Sequence, residues 1–420
     1  MSIDRLSDSG IMRVAGHSSE LEALANIASE MSLRERGNLM TLERNLLNAW
    51  ALGANTIISW ASHPQGVALL VVPHYALAEY TARPAGGDMP WRPSEHFITE
   101  LISGNAHLPM QQLGKVARLL DVEPTIVKLR DKLVGSEKET QIIEAMVKRY
   151  GVSFVSHRAV ALFDIVGFSL LSPFEQMTQL NSLAHSLNSA HSKLLDRKIG
   201  ITFARSSTGD GFYIWNRDKG EIPNINLYHF MQLVLADNAI ARSKAVARSV
   251  PLLRSAFHIG SCYEFHQADG LSPSTQDYIV GDVTVELARM IEKALPGQIF
   301  VGAFDDLPQK ETGVYNAIQF VDYTQRNMSK LHGLELSGDK ISAIKCYLTG
   351  ERYDDGRFSI RKLTIDDKHG LTRYVYNAKI NIHRHNAEPI LLGIEDKTLR
   401  EQKMAAQTAE LVFVPPEHYL

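Results

Sequence analysis

The stretch ALFDIVGFSLL, residues 161–171, decides the fold because it runs from an apolar strand into a glycine turn. Val160–Ile165 has the apolar pattern of a short buried strand, and Asp164 lies at its end. A second stretch, SSTGDGFYIW at residues 206–215, holds Asp210 between two glycines, which is typical of a hairpin tip. The sequence therefore predicts two acidic side chains at strand ends.

The elements around these stretches follow the order β-α-β-β-α-β. The predicted strands and helices of this order are Val160–Ile165, Phe174–Arg197, Gly200–Phe203, Gly211–Trp215, Asn226–Val250 and Leu253–Tyr263. A further helix, Val283–Ala294, and a further strand, Gln298–Gly302, come next. This order predicts an α+β fold with a ferredoxin-like βαββαβ core, in which the helices cover one face of the sheet.

The regions on either side of this core have different patterns. The N-terminal region is mostly helical in pattern, with one predicted hairpin, Thr56–Ala61 and Gly66–Val72, and an amphipathic helix, Ser136–Arg149. After about Gly350 the chain becomes polar and rich in strand patterns. The predicted domains are a mostly helical N-terminal region at 1–150, the α+β core at 151–349 and a small β-rich C-terminal module at 350–420.

The composition limits the classes of function. Among the 420 residues, 44 Lys and Arg stand against 47 Asp and Glu, which gives a net charge of −3 and no positive field for nucleic acid or an anionic membrane. The uncharged stretch Asn45–Ala78 is interrupted by polar residues and prolines, so no membrane insertion is expected. The two cysteines, Cys262 and Cys346, are too far apart in sequence for a structural zinc site and indicate a reducing cytoplasm.

The two acidic strand ends suggest a metal and phosphate site. A carboxylate at a strand end binds Mg²⁺ or Mn²⁺, and the free amides of a following glycine turn meet phosphate oxygens. A second carboxylate on a neighbouring hairpin would complete a site for two ions. Taken singly, Asp210 is more often just a turn residue and Asp164 just a cap, so the pair carries the interpretation.

In combination these motifs resemble the catalytic domain of class III nucleotide cyclases. FDIVGFSLL and TGDGFYIW, with aspartates 46 residues apart, are followed by IGSCYEF and GDVTVELARMIEKALPGQIFVG. The resemblance covers residues 155–348. It implies conversion of a nucleoside triphosphate to a 3′,5′-cyclic monophosphate and pyrophosphate, with two Mn²⁺ or Mg²⁺ ions as cofactors. It also implies a homodimer with shared active sites.

The resemblance also implies a role for individual residues. Asp164, Asp210 and the backbone carbonyl of Ile165 would be the metal ligands. Arg289, in ELARM, would stabilise the transition state from the partner subunit, where charge grows on the phosphate. Lys330, in SKLHG, is a candidate for the terminal phosphates, although a solvated surface lysine is the other interpretation.

The phosphate and base positions complete the implied site. The amides of Gly167, Phe168 and Ser169 would hold the triphosphate.

Where adenylate cyclases have a lysine and an adenine-reading aspartate, this chain has Ser206, next to Arg205, and Tyr278, so the base is expected not to be adenine. The ribose-orienting asparagine of those enzymes falls at Val285. Tyr278 could narrow the pocket toward a pyrimidine, with Arg205 or Ser206 meeting a carbonyl oxygen, or it could only pack as an edge aromatic residue.

The C-terminal stretch TIDDKHGLTRYVYNAKINIHRHNAEPILLG, residues 364–393, resembles the AGS-C-like sensor domain of bacterial conflict systems. Together with the core it resembles the pyrimidine (uridylate or cytidylate) cyclases of Pycsar anti-phage systems. That resemblance implies UTP, then CTP, as substrate, and a cyclic nucleotide that signals to a separate effector protein. Two alternatives stay open: the same chemistry on ATP or GTP, and a catalytically inactive nucleotide sensor or regulator.

Overall fold

The computed structural model describes residues 31–81, 95–268, 275–350, 354, 358–366, 370–401 and 406–413. The chain divides into two compact units. The first unit runs to Val155 and also includes Tyr263–Ile279. The second unit consists of Ser156–Cys262 and the chain from Val280 onward.

The first unit contains a small antiparallel sheet with helices on both faces. Its elements are α1 (Leu33–Trp50), a 3₁₀ turn (Ala51–Gly53), β1 (Asn55–His63), β2 (Gly66–Pro73), α2 (Ala76–Thr81), α3 (Glu95–Ser103), α4 (Met110–Leu119), β3 (Thr125–Lys128) and α5 (Glu137–Lys148). The strands lie in the order β1-β2-β3. Alternate residues of β2 enter two apolar clusters, one shared with α1 and α5 and the other with α3 and α4.

The sequence prediction for this region is confirmed at the hairpin, which forms β1 and β2, and at the amphipathic helix, which forms α5. The structure adds β3, which pairs with β2. Its four residues are too short a pattern to separate from the helical spacing around them. Residues 1–30 and 82–94 of the predicted N-terminal region lie outside the described residues.

The second unit is a large mixed sheet with its own helices. Its elements are β4 (Val152–Ile165), a 3₁₀ turn (Phe168–Leu170), α6 (Pro173–Asp196), β5 (Phe203–Ser207), β6 (Gly211–Asn216), α7 (Glu221–Lys244), β7 (Leu253–Ala268), β8 (Thr275–Val280), α8 (Asp282–Lys293), β9 (Ile299–Gly302), α9 (Ala317–Arg326), a 3₁₀ turn (Met328–Leu331), β10 (Glu335–Leu336), β11 (Asp339–Leu348), β12 (Phe358–Asp366), β13 (Thr372–Arg384), β14 (Ile390–Leu392), α10 (Asp396–Glu401) and β15 (Ala406–Phe413). The first four residues of β4, the last residues of β7 and β8 up to Ile279 belong to the first unit.

The predicted βαββαβ order is confirmed as β4-α6-β5-β6-α7-β7 in an α+β fold. The sheet order is β10-β11-β13-β9-β7-β4-β6-β5, in which β4 and β5 each pair antiparallel with β6, and β7 pairs parallel with β9. Helices α6 and α7 bury their apolar residues against one face of this sheet.

Several predicted boundaries are wrong. Strand β4 begins at Val152, because polar residues in its first half hide the strand pattern, and β5 runs from Phe203 to Ser207 rather than from Gly200 to Phe203. Helix α7 begins at Glu221 and ends at Lys244, so both of its ends lie earlier in the chain than predicted, and β7 extends to Ala268.

The C-terminal strands differ from the separate module expected from the sequence. Strand β13 lies between β9 and β11 in the same sheet as the core, with Tyr376 opposite Val301 and Ile380 opposite Cys346. Alternate residues of β13, including Tyr376 and Ile380, enter the core cluster of the second unit. The polar residues between them dominate the sequence pattern, which is why the segment resembles an independent module. A sensor role for this segment stays a prediction.

Two further expectations concern the environment of the chain. None of the helices among the described residues is long and apolar enough to cross a membrane. Cys262 and Cys346 are both buried, and neither forms a disulfide.

Candidate active site

Asp164 lies on the face of the sheet opposite to α6 and α7. Successive side chains of a strand point to opposite faces. The residues of β4 that enter the core beneath the helices are Ala159, Ala161, Phe163 and Ile165. Leu162 and Asp164 therefore point to the other face, where Leu162 is opposite Tyr213 and Asp164 is opposite Gly211 on β6.

The hairpin tip that carries Asp210 is held against the end of β4 by backbone contacts. The Ile165 amide donates to the Asp210 carbonyl at 3.0 Å. A Cβ atom on Gly211 would lie 1.9 Å from the Phe163 carbonyl oxygen, so only glycine allows the strands to come this close. Gly209 has a φ of 97°, a conformation that glycine adopts without strain.

The carboxylates of Asp164 and Asp210 come together at this point. Asp164 is buried, with 6% of its surface exposed. Burial raises its pKa above the usual value, Arg254 opposes this effect, and the nearby Asp210 carboxylate adds to it. Thr208 Oγ1 lies 3.2 Å from Asp210 Oδ1 and donates to it. The predicted pairing of the two aspartates is therefore present in the folded chain.

Arg254, at the second position of β7, contacts the site but was missed by sequence reasoning. Its Nε donates to Asp164 Oδ2 at 2.5 Å, and its Nη1 donates to the Ala294 carbonyl at 3.3 Å. The available signal was a charged residue at the start of an otherwise apolar strand pattern. The guanidinium lies on a carboxylate oxygen that a metal ion would also use.

The turn after Asp164 has the shape expected for a phosphate-binding segment. Gly167 adopts a φ of 69° and precedes the 3₁₀ turn that contains Phe168 and Ser169. Gln176 Nε2 on α6 donates to the Phe168 carbonyl at 3.1 Å and ties the turn to the helix. Gly167 and Ser169 are exposed, so the outer side of the turn is accessible to a ligand.

Arg205 and Ser206, both predicted near the base, lie on opposite faces of β5. Ser206 pairs with Tyr213 on β6, which places it on the Asp164 face. Arg205 lies on the opposite face, and its guanidinium stacks 5.5 Å from the centre of the Phe212 ring. The structure therefore brings Ser206, and not Arg205, to the face of the carboxylates.

Helix α8, which carries Arg289, lies on the same face of the sheet as Asp164. Tyr213 Oη donates to the Thr284 carbonyl in the first turn of the helix at 3.3 Å. The Arg254 bond to Ala294 holds the residue that follows the last turn. Arg254 therefore links the carboxylate site directly to the end of α8.

Arg289 itself is on a partly exposed side of α8. Its Nη1 lies 3.3 Å from Glu292 Oε2, one turn further along the helix. Val285, at the position of the ribose-orienting asparagine, is 47% exposed on the same side. The apolar side of the helix, with Val283, Leu287 and Met290, is buried.

The two remaining predicted residues are Tyr278 and Lys330. Tyr278 belongs to the first unit, where its ring stacks on Phe265 with centroids 5.8 Å apart. Lys330 is exposed on the 3₁₀ turn before β10. The sheet order separates β11, next to that turn, from β4 by four strand spacings of about 4.8 Å each, so Lys330 is remote from Asp164 in the folded chain.

The donor atoms at the carboxylate site suit a hard divalent cation. Asp164, Asp210 and the main-chain carbonyl of Ile165 offer only oxygen ligands, as Mg²⁺ and Mn²⁺ prefer. Over the described part of the chain, no group of three or more His, Cys, Asp or Glu side chains is arranged to hold a metal ion. Any ion bound here would therefore rest on two carboxylates, main-chain oxygen and substrate phosphate.

No protein-family model and no curated protein matches the chain. Solved structures similar to it include guanylyl and adenylyl cyclases. The catalytic core of a rhodopsin-guanylyl cyclase with converted specificity, in complex with ATPαS, has a TM-score of 0.33 at 11% identity, covering 56% of this chain and 98% of that one. The guanylate cyclase domain of RhGC from Catenaria anguillulae with GTP has a TM-score of 0.32 at 13% identity, covering 54% and 97%. The adenylyl cyclase CyaB from P. aeruginosa has a TM-score of 0.28 at 11% identity, covering 56% and 97%.

Proposed function

We propose that the chain is a metal-dependent nucleotide cyclase, which converts a nucleoside triphosphate into a 3′,5′-cyclic monophosphate and pyrophosphate. The observation that carries the proposal is the meeting of Asp164 and Asp210 beside the exposed glycine turn. Two neighbouring carboxylates in a partly buried site repel each other unless a cation neutralises them. A site that gathers negative charge next to free amides suits a metal-bound triphosphate.

In this proposal the carboxylate end binds and orients the substrate. Asp164, Asp210 and the Ile165 carbonyl hold the divalent ions. Ions held there would supply two kinds of chemistry: a lower pKa for the attacking 3′-hydroxyl and neutralisation of charge on the leaving pyrophosphate. The amides of Gly167–Ser169 receive the triphosphate. Arg254 turns from Asp164 toward the phosphate oxygens, for which its planar guanidinium is well suited.

Arg289 provides positive charge for the transition state. Negative charge grows on the α-phosphate and on the bridging oxygen as the bond to pyrophosphate breaks, so a guanidinium aimed there lowers the barrier. In the proposed homodimer, the partly exposed Arg289 of one subunit serves the site of its partner.

We also propose a pyrimidine triphosphate as substrate, UTP before CTP. Ser206 lies on the Asp164 face, and its hydroxyl can donate to a carbonyl oxygen of the base. Tyr278 in place of a carboxylate removes the partner that an adenine amino group requires. By sequence resemblance, the product is a second messenger of anti-phage defence that acts on a separate effector protein.

A catalytically inactive nucleotide sensor is the second candidate. Val285 offers no hydrogen bond to a ribose, and Arg254 already neutralises Asp164. Binding of a nucleotide without turnover would suit both observations. The same chemistry on ATP or GTP is the remaining alternative within the cyclase proposal.

The test is to incubate the purified chain with Mn²⁺ and ATP, GTP, CTP or UTP separately, and to identify products by mass spectrometry. A cyclic monophosphate from UTP or CTP alone supports both the cyclase and the pyrimidine assignment. A product from ATP or GTP alone supports the cyclase and contradicts the pyrimidine assignment. Nucleotide binding by calorimetry with no product from any of the four supports the inactive sensor.

A further inference from the structure

We infer that strand β13 of the C-terminal segment sets the orientation of α8, and that Arg373 is the positioning residue through which it acts. The inference rests on the proposed function, because its consequence for catalysis passes through Arg289. Arg373 Nε lies 2.9 Å from Glu286 Oε2 on α8. The side chains of Arg373 and Glu286 are 12% and 30% exposed.

The position of this ion pair on α8 allows it to restrain the orientation of Arg289. Glu286 and Arg289 are three residues apart, so they are neighbours on the helix surface. A rotation of α8 about its axis would move both side chains together. Because Arg373 restrains Glu286, it also restrains the direction in which Arg289 leaves the helix.

The backbone of β13 around Arg373 is held by neighbouring strands. Arg373 is opposite Ile365 on β12, and Val375 is opposite Gly302 on β9. The Ala303 amide donates to the Tyr374 carbonyl at 3.0 Å. Strand pairing on both sides leaves the backbone at Arg373 little freedom, so the Arg373 side chain extends from a fixed backbone position.

The other anchors of α8 lie near its ends. Ser261 Oγ donates to Asp282 Oδ2 at 2.5 Å at the first residue, and Arg254 binds the Ala294 carbonyl after the last. The buried apolar side of α8, with Val283, Leu287 and Met290, packs along the helix and limits its rotation. The Arg373–Glu286 pair adds a polar restraint near the middle of the helix, next to Arg289 on the helix surface.

The low exposure of Arg373 makes the pair more than a surface contact. Exposed ion pairs contribute little because water and salt screen them. In this partly shielded pair the attraction is screened less than at the open surface, so removing one member takes away a restraint on the other. Loss of either side chain should therefore turn or loosen α8 rather than leave it in place.

The test measures kcat and KM of Arg373→Glu, of Glu286→Arg and of the doubly reversed Arg373→Glu/Glu286→Arg chain with the preferred triphosphate and Mn²⁺. Misplacement of a group that acts on the transition state should lower kcat about 10- to 100-fold while KM changes little. The doubly reversed chain should regain most of that loss. The control is Arg326→Glu, which breaks the exposed Arg326–Asp322 pair of α9 and should leave kcat unchanged.

Glu286→Gln, which keeps the shape of the side chain, provides the same test if charge reversal prevents folding, and it should lower kcat in the same way. Wild-type kcat in Glu286→Gln, or no recovery in a folded doubly reversed chain, would overturn the inference. Hydrogen exchange of the α8 amides separates the two proposals, since it does not need activity. Faster exchange in Glu286→Gln than in wild type or Arg326→Glu supports the positioning role even if the wild-type chain makes no product, a result that contradicts only the proposed function. Unchanged α8 exchange contradicts the positioning role.

Discussion

The two carboxylates of the candidate site, on β4 and at the tip of the β5–β6 hairpin, are held by backbone pairing. Helix α8, which carries Arg289, is held on the sheet face by side chains. Asp164 and Asp210 meet because β4 and β6 pair residue by residue up to Gly211. The position of α8 depends on its buried apolar side and on polar contacts from Tyr213, Arg254, Ser261 and Arg373. The carboxylates are thus fixed by strand register, whereas the direction of Arg289 on α8 also depends on single side-chain contacts.

The largest effect should come from a side chain at Gly211, where β6 approaches β4 too closely for a Cβ atom. Gly211→Ala forces a Cβ atom against the Phe163 carbonyl, so β4 and β6 must separate. We expect destabilisation of about 3 kcal/mol or more and loss of turnover, measured by urea unfolding and product formation. Gly200→Ala is the matched control, because nothing lies within 4 Å of its Cβ position. Equal stability of the two variants would contradict the close approach.

The next largest effect is expected on removal of the Arg289 side chain from α8. Arg289→Ala should lower kcat about 100- to 1000-fold with little change in KM, because the guanidinium acts on charge that develops only in the transition state. Unfolding curves should be close to wild type, since Arg289 is on the partly exposed side of α8. Lys293→Ala, an exposed cation on the same helix, is the control. A change in KM alone would show that Arg289 only binds substrate.

A third prediction concerns the stability of the core of the second unit, away from both the carboxylates and Arg289. His229 on α7 is buried, and its Nε2 donates to the Thr324 carbonyl at 3.1 Å. Burial lowers its pKa from 6.5 to about 4. The neutral ring therefore stabilises the fold above pH 6.5, and this contribution is lost as the pH falls toward 4, by up to roughly 3 kcal/mol.

Urea unfolding at pH 7.5, 6 and 5 measures this dependence. His229→Gln should be less stable than wild type at pH 7.5 and should lose less stability on acidification. If both chains lose stability in parallel, the acid sensitivity comes from another group.

The smallest effect is expected at Arg254, which contacts both Asp164 and the residue that follows α8. Its guanidinium competes with a metal ion for Asp164, so Arg254→Met should bind Mn²⁺ more tightly in the absence of nucleotide. We expect about a fivefold lower Kd, a modest change because Asp210 and the carbonyl ligand are unaffected. Electron paramagnetic resonance of free Mn²⁺ measures it. Weaker binding in Arg254→Met would mean that the arginine organises Asp164 for the metal rather than competing for it.

The same contrast explains what could be predicted from the sequence. The strand ending in Asp164 and the Asp-Gly hairpin are local patterns, and pairing of adjacent strands brings them together. Arg254 is 90 residues from Asp164 in sequence, so its contact depends on which strand lies next to β4. The position of β13 between β9 and β11 is equally non-local.

The opposite directions of Arg205 and Ser206 show a finer difficulty. The predicted strand ends at Phe203, so the sequence pattern assigns neither residue to a face of the sheet. Once β5 extends to Ser207, alternation separates them. Strand ends of one or two residues therefore decide which side chains reach the site.

The most direct test of the account is the turnover of Asp164→Asn and Asp210→Asn with Mn²⁺ and the preferred triphosphate. Asp196→Asn, at the exposed end of α6, is the matched control. Because each asparagine keeps the shape and removes the charge, both site variants should remain folded and lose cyclic product and pyrophosphate, while the control stays active. Wild-type activity in either folded site variant would contradict the central claim that these two carboxylates form the catalytic metal site.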